Sequence, residues 1–164
     1  MKILVLSDSH AGLHFMRCAI EFVKPDAVVH LGDYYADAQA MEEDYPNIRF
    51  HMVPGNCDRY RLLRPVPEML CYDVCGVRLF MTHGHNHHVK QTLLYLLQDA
   101  GKYGAQAALY GHTHVADCRK EDDLWFLNPG ACGSSGGSVG LIETDGKQIT
   151  SCRILRHEDL EVIE

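Results

Sequence analysis

The sequence predicts an α/β fold built as two sheets packed face to face with helices outside. Three observations carry that expectation. Strand-like and helix-like runs alternate from the N-terminus to Asp58. Two strands joined at Gly76 then break the alternation, and short strands separated by Gly, Asp and Asn turns dominate the last part of the chain.

Taken in order, "KILVLS" (Lys2 to Ser7) is a short run of branched apolar residues, hence a strand. A polar Asp/Ser/His/Gly loop follows it, then a segment of helical period from Leu13 to Val23. "DAVVHLGD" repeats the pattern, with a buried strand ending at Gly32 and Asp33 and a polar helical stretch around Ala36 to Glu43. "IRFHMVPGNCD" is a third strand running into a Pro-Gly loop, so the sheet begins as a parallel one. "EMLCYDVCGVRLFMTHG" reads as a hairpin-like pair. The leucines of "VKQTLLYLLQDAGKYG" lie at helical spacing and stop at glycines, predicting a helix of about four turns. "AQAALYGHTH" is a strand ending in a glycine loop, and "DLWFLN", "GSVGLIET" and "QITSCRIL" are the closing strands. No repeat or linker divides the chain, so residues 1–164 read as one domain. Gly133 to Gly137 read as a flexible turn, and no Gly-Lys-Ser/Thr follows them to make a P-loop.

A chain of 164 residues can bury a core without disulfide staples. Its formal net charge of -7 argues against holding long nucleic acid by bulk electrostatics. Any phosphate it handles must meet local positive charge, such as a metal. The seven cysteines are odd in number and show no CxxC spacing, which suits a reduced, cytoplasmic protein. Cys71 and Cys75 are expected on one side of a strand as buried apolar thiols. The N-terminus is too quickly acidic for a signal peptide, and no apolar run reaches the roughly 18 residues of a membrane span.

Five strand ends finish in metal-competent residues: Asp8 and His10, Asp33, Asn56 and Asp58, His83 and His85, His112 and His114. The carboxyl ends of strands in an open α/β sheet share one edge, so these residues are expected to meet in space. Alternation along an extended segment would put Asp8 and His10 on one side with Ser9 turned away. It would do the same for His112 and His114, so that each pair approaches one ion. With Asp33, Asn56 and His83 the donors outnumber what one ion needs, which implies two metals sharing a bridge. Asp33, following a glycine, is the candidate bridge because a carboxylate has two oxygens and a charge to offset the cations. A single Asp or His at a strand end is ordinarily a turn or capping residue. Five turns ending in the same small set of donors are what point to a metal site.

The ordered series Asp-x-His, Gly-Asp, Gly-Asn-x-Asp, His-Gly-His and Gly-His-x-His resembles the calcineurin-like metallophosphoesterase superfamily. "GNCD", "THGH", "GHTH" and "NPG" resemble its small YfcE-like phosphodiesterase branch. The resemblance implies a two-sheet αββα sandwich, with mixed parallel and antiparallel strands, holding a dinuclear centre. One metal would take Asp8, His10, Asp33 and His114, and the other Asp33, Asn56, His83 and His112. The implied activity is hydrolysis of small phosphodiesters by a hydroxide bridging the metals, with phosphomonoesterase side activity. Nitrogen and oxygen donors without thiolate suit manganese, iron, zinc, cobalt or nickel, with magnesium also compatible, and manganese is the expected active ion. The alternative is a non-catalytic metal-binding scaffold of the retromer-subunit type. Similar chains form homodimers or tetramers, although no interface is evident in this sequence.

Within that frame His85 would line the site and contact substrate or stabilise the leaving group. His87 and His88 fall outside the motif and are expected to be solvated at the start of the leucine-rich helix. His30 and His51 read as satisfied histidines within strands. Many relatives carry His after Gly-Asn where this chain has Cys57, and a thiol is a poor proton donor for a departing oxygen. Either His85 substitutes or the leaving group needs little help. Asp58 orients a ligand from behind or is a turn carboxylate. Arg59, with Arg61 and Arg64 beyond it, is the candidate substrate contact, the plainer account being an exposed basic face.

Overall fold

The computed structural model describes residues 1–133 and 136–160. Its first sheet contains β1 (Lys2–Leu6), β2 (Ala27–His30), β3 (Arg49–Met52), β9 (Ser138–Thr144) and β10 (Ile149–Arg156), in the order β10-β9-β1-β2-β3. The second contains β4 (Met69–Val74), β5 (Val77–Thr82), β6 (Ala107–Leu109), β7 (Asp117–Glu121) and β8 (Leu124–Asn128), in the order β4-β5-β6-β8-β7. The pairs β1–β2, β2–β3, β5–β6 and β6–β8 are parallel, while β1–β9, β9–β10, β4–β5 and β7–β8 are antiparallel.

Strand alternation sorts the apolar side chains into layers. Ile3 and Val5 of β1 meet Leu79 and Met81 of β5 between the sheets. Leu4 and Leu6 face the other way, onto Met16, Ile20 and Val23 of α1 (Leu13–Val23). Phe80 and Phe126 of the second sheet likewise pack outward against Leu96 and Ala100 of α3 (Leu94–Lys102). Both faces of the central strands are therefore covered, which is why they read as unbroken apolar runs. Each such Leu, Ile or Phe contributes about 1.5–3 kcal/mol on burial. With α2 (Tyr35–Asp44) beside α1, the layers are the expected αββα sandwich.

Several expectations change. The four-turn helix is a nine-residue α3 preceded by a 3-10 turn at His85–His87. Gly84, at φ 105, accepts hydrogen bonds from the amides of both His87 and Val89, and Thr92 Oγ1 accepts one from Leu94 N. These local bonds divert the chain from a continuous helix. β7, "DCRKE", was not anticipated because its charges hide the strand pattern; among the described residues it is an edge strand paired to β8 alone, where charge is favoured. The short α4 (His157–Leu160) was also missed. Cys71 packs on the α3 side whereas Cys75 packs between the sheets, and both are only partly buried. The left-handed turn at Cys75, φ 49, reverses the direction alternation would give it. Of the glycine segment Gly133 to Gly137, Ser134 and Ser135 lie outside the described residues. No helix among the described residues is long and apolar enough to cross a membrane.

Candidate metal centre

The strands β1, β2, β3, β5 and β6 each run into one of the five donor-bearing segments. Asp8, His10, Asp33, His112 and His114 take left-handed backbone, with φ of 53, 43, 56, 68 and 60. Extended alternation therefore does not aim these side chains, contrary to the sequence expectation. Sharp left-handed turns just past the strands do so, a conformation Asp and His adopt more readily than most residues. One outcome follows for His112 and His114: they serve different groups instead of approaching one ion together. The His114 ring lies 5.3 Å from that of His10, while His112 lies 5.1 Å from His83.

Two glycine positions permit the loops to meet. A Cβ at Gly55 would collide with the Asp33 carboxylate and its amide, and one at Gly111 would collide with Ser7 Oγ and Asp8. Any side chain at either place would push a donor-bearing loop off the rim.

Asp8, His10, Asp33 and His114 each offer a donor atom within 4.8 Å of the others. Asp8 is fully buried; its Oδ2 accepts hydrogen bonds from Ser7 Oγ (2.6 Å) and the His112 amide (3.2 Å). Its Oδ1 is buried with no aligned hydrogen-bond donor, although His114 Nε2 lies 3.0 Å away. An orphaned carboxylate oxygen facing a histidine nitrogen is the arrangement a cation completes.

A second convergence surrounds His83. Its Nδ1 lies 2.8 Å from the Leu31 carbonyl, which can only accept, so Nδ1 carries a proton, and whenever the ring is neutral Nε2 presents a lone pair. That lone pair faces Asn56 Oδ1 at 3.1 Å and Asp33 Oδ1 at 3.6 Å. Three acceptors pointed together repel unless a positive charge stands among them. Asp33 belongs to both groups. Burial pulls its carboxyl pKa upward, but His83, the Cys57 amide at 2.9 Å and His10 outweigh that and hold it below the ordinary value. Burial, followed by His83, pushes His112 down to about 4, leaving its ring neutral and able to ligate.

Behind the donors stand residues that fix them. Asp58 is 2% exposed; its Oδ1 accepts from Tyr35 N (2.9 Å) and its Oδ2 from Gly55 N (2.8 Å). With both oxygens engaged by backbone amides it positions the Asn56 loop, in keeping with a residue that orients a ligand from behind. Beneath the Asp8–His10 turn, Gly32 N donates to His30 Nδ1, which puts the His30 proton on Nε2, toward Ser9 Oγ at 3.2 Å. Ser9 in turn donates to Asp37, which also accepts from Ala11 N. Asn128 Nδ2 donates to the Gly111 carbonyl and to Thr113 Oγ1, holding the loop of His112. Asp37 and Asn128 were not singled out from the sequence; only the "NPG" turn offered a signal for Asn128.

His85 stands beside the second group, its ring 5.4 Å from His83 and 6.2 Å from His112, with Nδ1 buried and unpartnered. Burial and then His83 lower its pKa. Burial, aided by Asp33, raises that of Cys57, making its thiol a weak acid. Arg59 is exposed and lines a cavity of about 390 Å³ with Pro54, Gly55 and Arg64, next to Asn56 in the chain. Arg61 lies over the Tyr34 ring (4.7 Å), which itself packs edge-on to His10. His87 is a correction: it is buried, 3.2 Å from Asp99 Oδ2 and against Phe80, while His88 is exposed as expected. His51 bonds Tyr72 through Nδ1 but keeps a buried, unpartnered Nε2, so it is only half satisfied.

A two-sheet sandwich with a rim of histidine, aspartate and asparagine donors places the protein among metal-dependent phosphoric ester hydrolases. Residues 1–147 match the Calcineurin-like phosphoesterase superfamily domain, and the chain belongs to that superfamily. It is 29% identical to phosphodiesterase MJ0936 of Methanocaldococcus jannaschii, over 90% of this chain and 96% of that protein. It is 26% identical to phosphodiesterase YfcE of Escherichia coli K12, over 88% and 89%. Wild-type Vps29 of Entamoeba histolytica complexed with zinc has the same fold, with a TM-score of 0.70 at 17% identity over 95% of this chain and 98% of that one. The family implies divalent metal ions, and the donor set described above fits them.

Proposed function

We propose that the protein is a dinuclear phosphodiesterase acting on small phosphodiesters, with some activity on monoesters and manganese as its active ion. The observation that carries this is Asp33, common to the Asp8/His10/Asp33/His114 group and to the group of His83 and Asn56. Asp8, His10, Asp33 and His114 would hold one ion, and Asp33, Asn56, His83 and His112 the other. Bound there, such ions would lower the pKa of a coordinated water and offset charge on phosphoryl oxygens.

The remaining residues bind and orient. The His85 ring, beside His83 and His112, is the candidate contact for a substrate oxygen or the departing one. Its lowered pKa makes it a neutral N–H donor instead of a charged acid. Cys57 contributes little to protonating the leaving group, so activated aryl esters are the favoured substrates. Arg59 contacts the part of the substrate that projects toward the cavity beside Asn56. The net charge of -7 disfavours long nucleic acid and leaves small diesters.

Hydrolysis of bis(p-nitrophenyl) phosphate by the manganese-loaded protein tests this. Activity is expected in the wild type and lost in Asp33→Ala and His83→Ala proteins that retain a folded circular-dichroism spectrum. A protein that binds manganese at both groups yet hydrolyses neither diesters nor monoesters is instead a scaffold, the role for which Vps29-like folds are the alternative model.

A further inference from the structure

We infer that Cys118 and Cys152 form a reversible disulfide that staples the two sheets together at one edge of the sandwich. Both are free thiols in the structure, with their Sγ atoms 3.1 Å apart. β7, carrying Cys118, is the edge of the second sheet, and β10, carrying Cys152, is the edge of the first. No strand pairing joins these edges among the described residues.

The sheets themselves set the approach. Cys118 pairs with Leu127 on β8, and Cys152 with Ile142 on β9. Leu127 and Ile142 are buried completely in the inter-sheet core, and both cysteines pack against that core. Register thus aims both sulfurs inward at one seam, with no reliance on mobile loops. A bond of about 2.05 Å requires the sulfurs to close by roughly 1 Å, which χ rotation and a small shift of two edge strands can supply. Among the described residues, Cys118 and Cys152 are the pair of cysteines in sulfur–sulfur contact, so oxidation at the seam is selective.

The oxidant is a low-molecular-weight disulfide. The Cys118 thiolate attacks one of its sulfurs, breaking that S–S bond and releasing one small thiolate, which takes a proton. Cys152 then loses its proton to solvent and attacks the Cys118 sulfur, displacing the second small thiolate. Two protein thiols lose two electrons, and the small disulfide gains them as two thiols. Cys118 is suited to the first step: the sulfur–sulfur contact it shares with Cys152 lowers its pKa against the opposing effects of burial and Asp117, and the same contact raises that of Cys152. A partly accessible pair of this kind serves as a redox-responsive site.

The test is incubation of the folded full chain with oxidised glutathione, followed by non-reducing peptide mapping and thermal denaturation. The expected result is a cross-link between the peptides bearing Cys118 and Cys152. The link closes a loop of 34 residues, for which Tm should exceed that of the reduced protein by about 8–15 °C. Dithiothreitol should reverse the shift, Cys118→Ser and Cys152→Ser should abolish it, and Cys71→Ser should retain it. Glutathione that remains on Cys118 without transfer to Cys152, or a Tm increase that survives in Cys152→Ser, overturns the inference.

Discussion

Replacing Asp58 by alanine removes the acceptor for two backbone amides while leaving both amides in place. Tyr35 N and Gly55 N lie 2.9 and 2.8 Å from the carboxylate oxygens, and the side chain is 2% exposed, so water cannot readily replace it. A hydrogen bond to a charged group is worth about 1.5–3 kcal/mol, which puts the loss for two at roughly 3–5 kcal/mol after partial relaxation. For a chain of this length that corresponds to a Tm lower by about 6–20 °C. The loop between Gly55 and Asp58 also carries Asn56, which faces His83 Nε2, so apparent manganese affinity should fall by about 10–100-fold, as when other outer supports of metal ligands are removed. Circular-dichroism melting of the metal-free protein measures the first effect, and isothermal titration with manganese the second. Restoring one acceptor with Asp58→Asn should recover part of the stability. An Asp58→Ala protein that melts within 2 °C of wild type and binds manganese unchanged would refute the assignment of Asp58 as the anchor of this loop.

Burial pushes His30 down to about 4 against the pull of Asp58, Asp8 and Asp37, whereas the unfolded chain titrates near 6.5. The folded state therefore binds fewer protons in that window, and stability of the metal-free protein should be full above about pH 6.5 and fall by about 3 kcal/mol as pH drops toward 4. Denaturant titrations across that range check this, and His30→Gln should flatten the slope. Gly111→Ala should destabilise the fold and weaken manganese binding together, because the added methyl meets Ser7 Oγ and the Asp8 carboxylate; unchanged affinity would show that the two loops have room to part. His85→Ala should lower kcat more for diesters with alkyl leaving groups than for p-nitrophenyl esters, whose departing oxygen needs little help. An equal loss on both would move His85 from the leaving group to general substrate binding. His87→Ala should cost about 1–2 kcal/mol of stability through its lost contacts to Asp99 and Phe80, with kcat unchanged in the same assay.

The amino-acid sequence alone determined the order of the first three strands and their helices, because a strand buried on both faces must be continuously apolar and a surface helix must repeat its apolar positions. It also singled out the candidate donors, since polar residues closing apolar strands have few structural uses in such numbers. It could not show that left-handed turns, and not extended alternation, aim Asp8, His10, Asp33, His112 and His114, because backbone handedness at a non-glycine residue depends on the neighbours that trap it. Nor could it reveal β7 beneath its charges, the burial of His87, or the engagement of both Asp58 oxygens, all of which arise from contacts between distant segments. The meeting of Cys118 with Cys152 belongs to tertiary structure for the same reason. Local spacing names the chemical groups available, but only the packing of one sheet on another decides which atoms come within bonding reach.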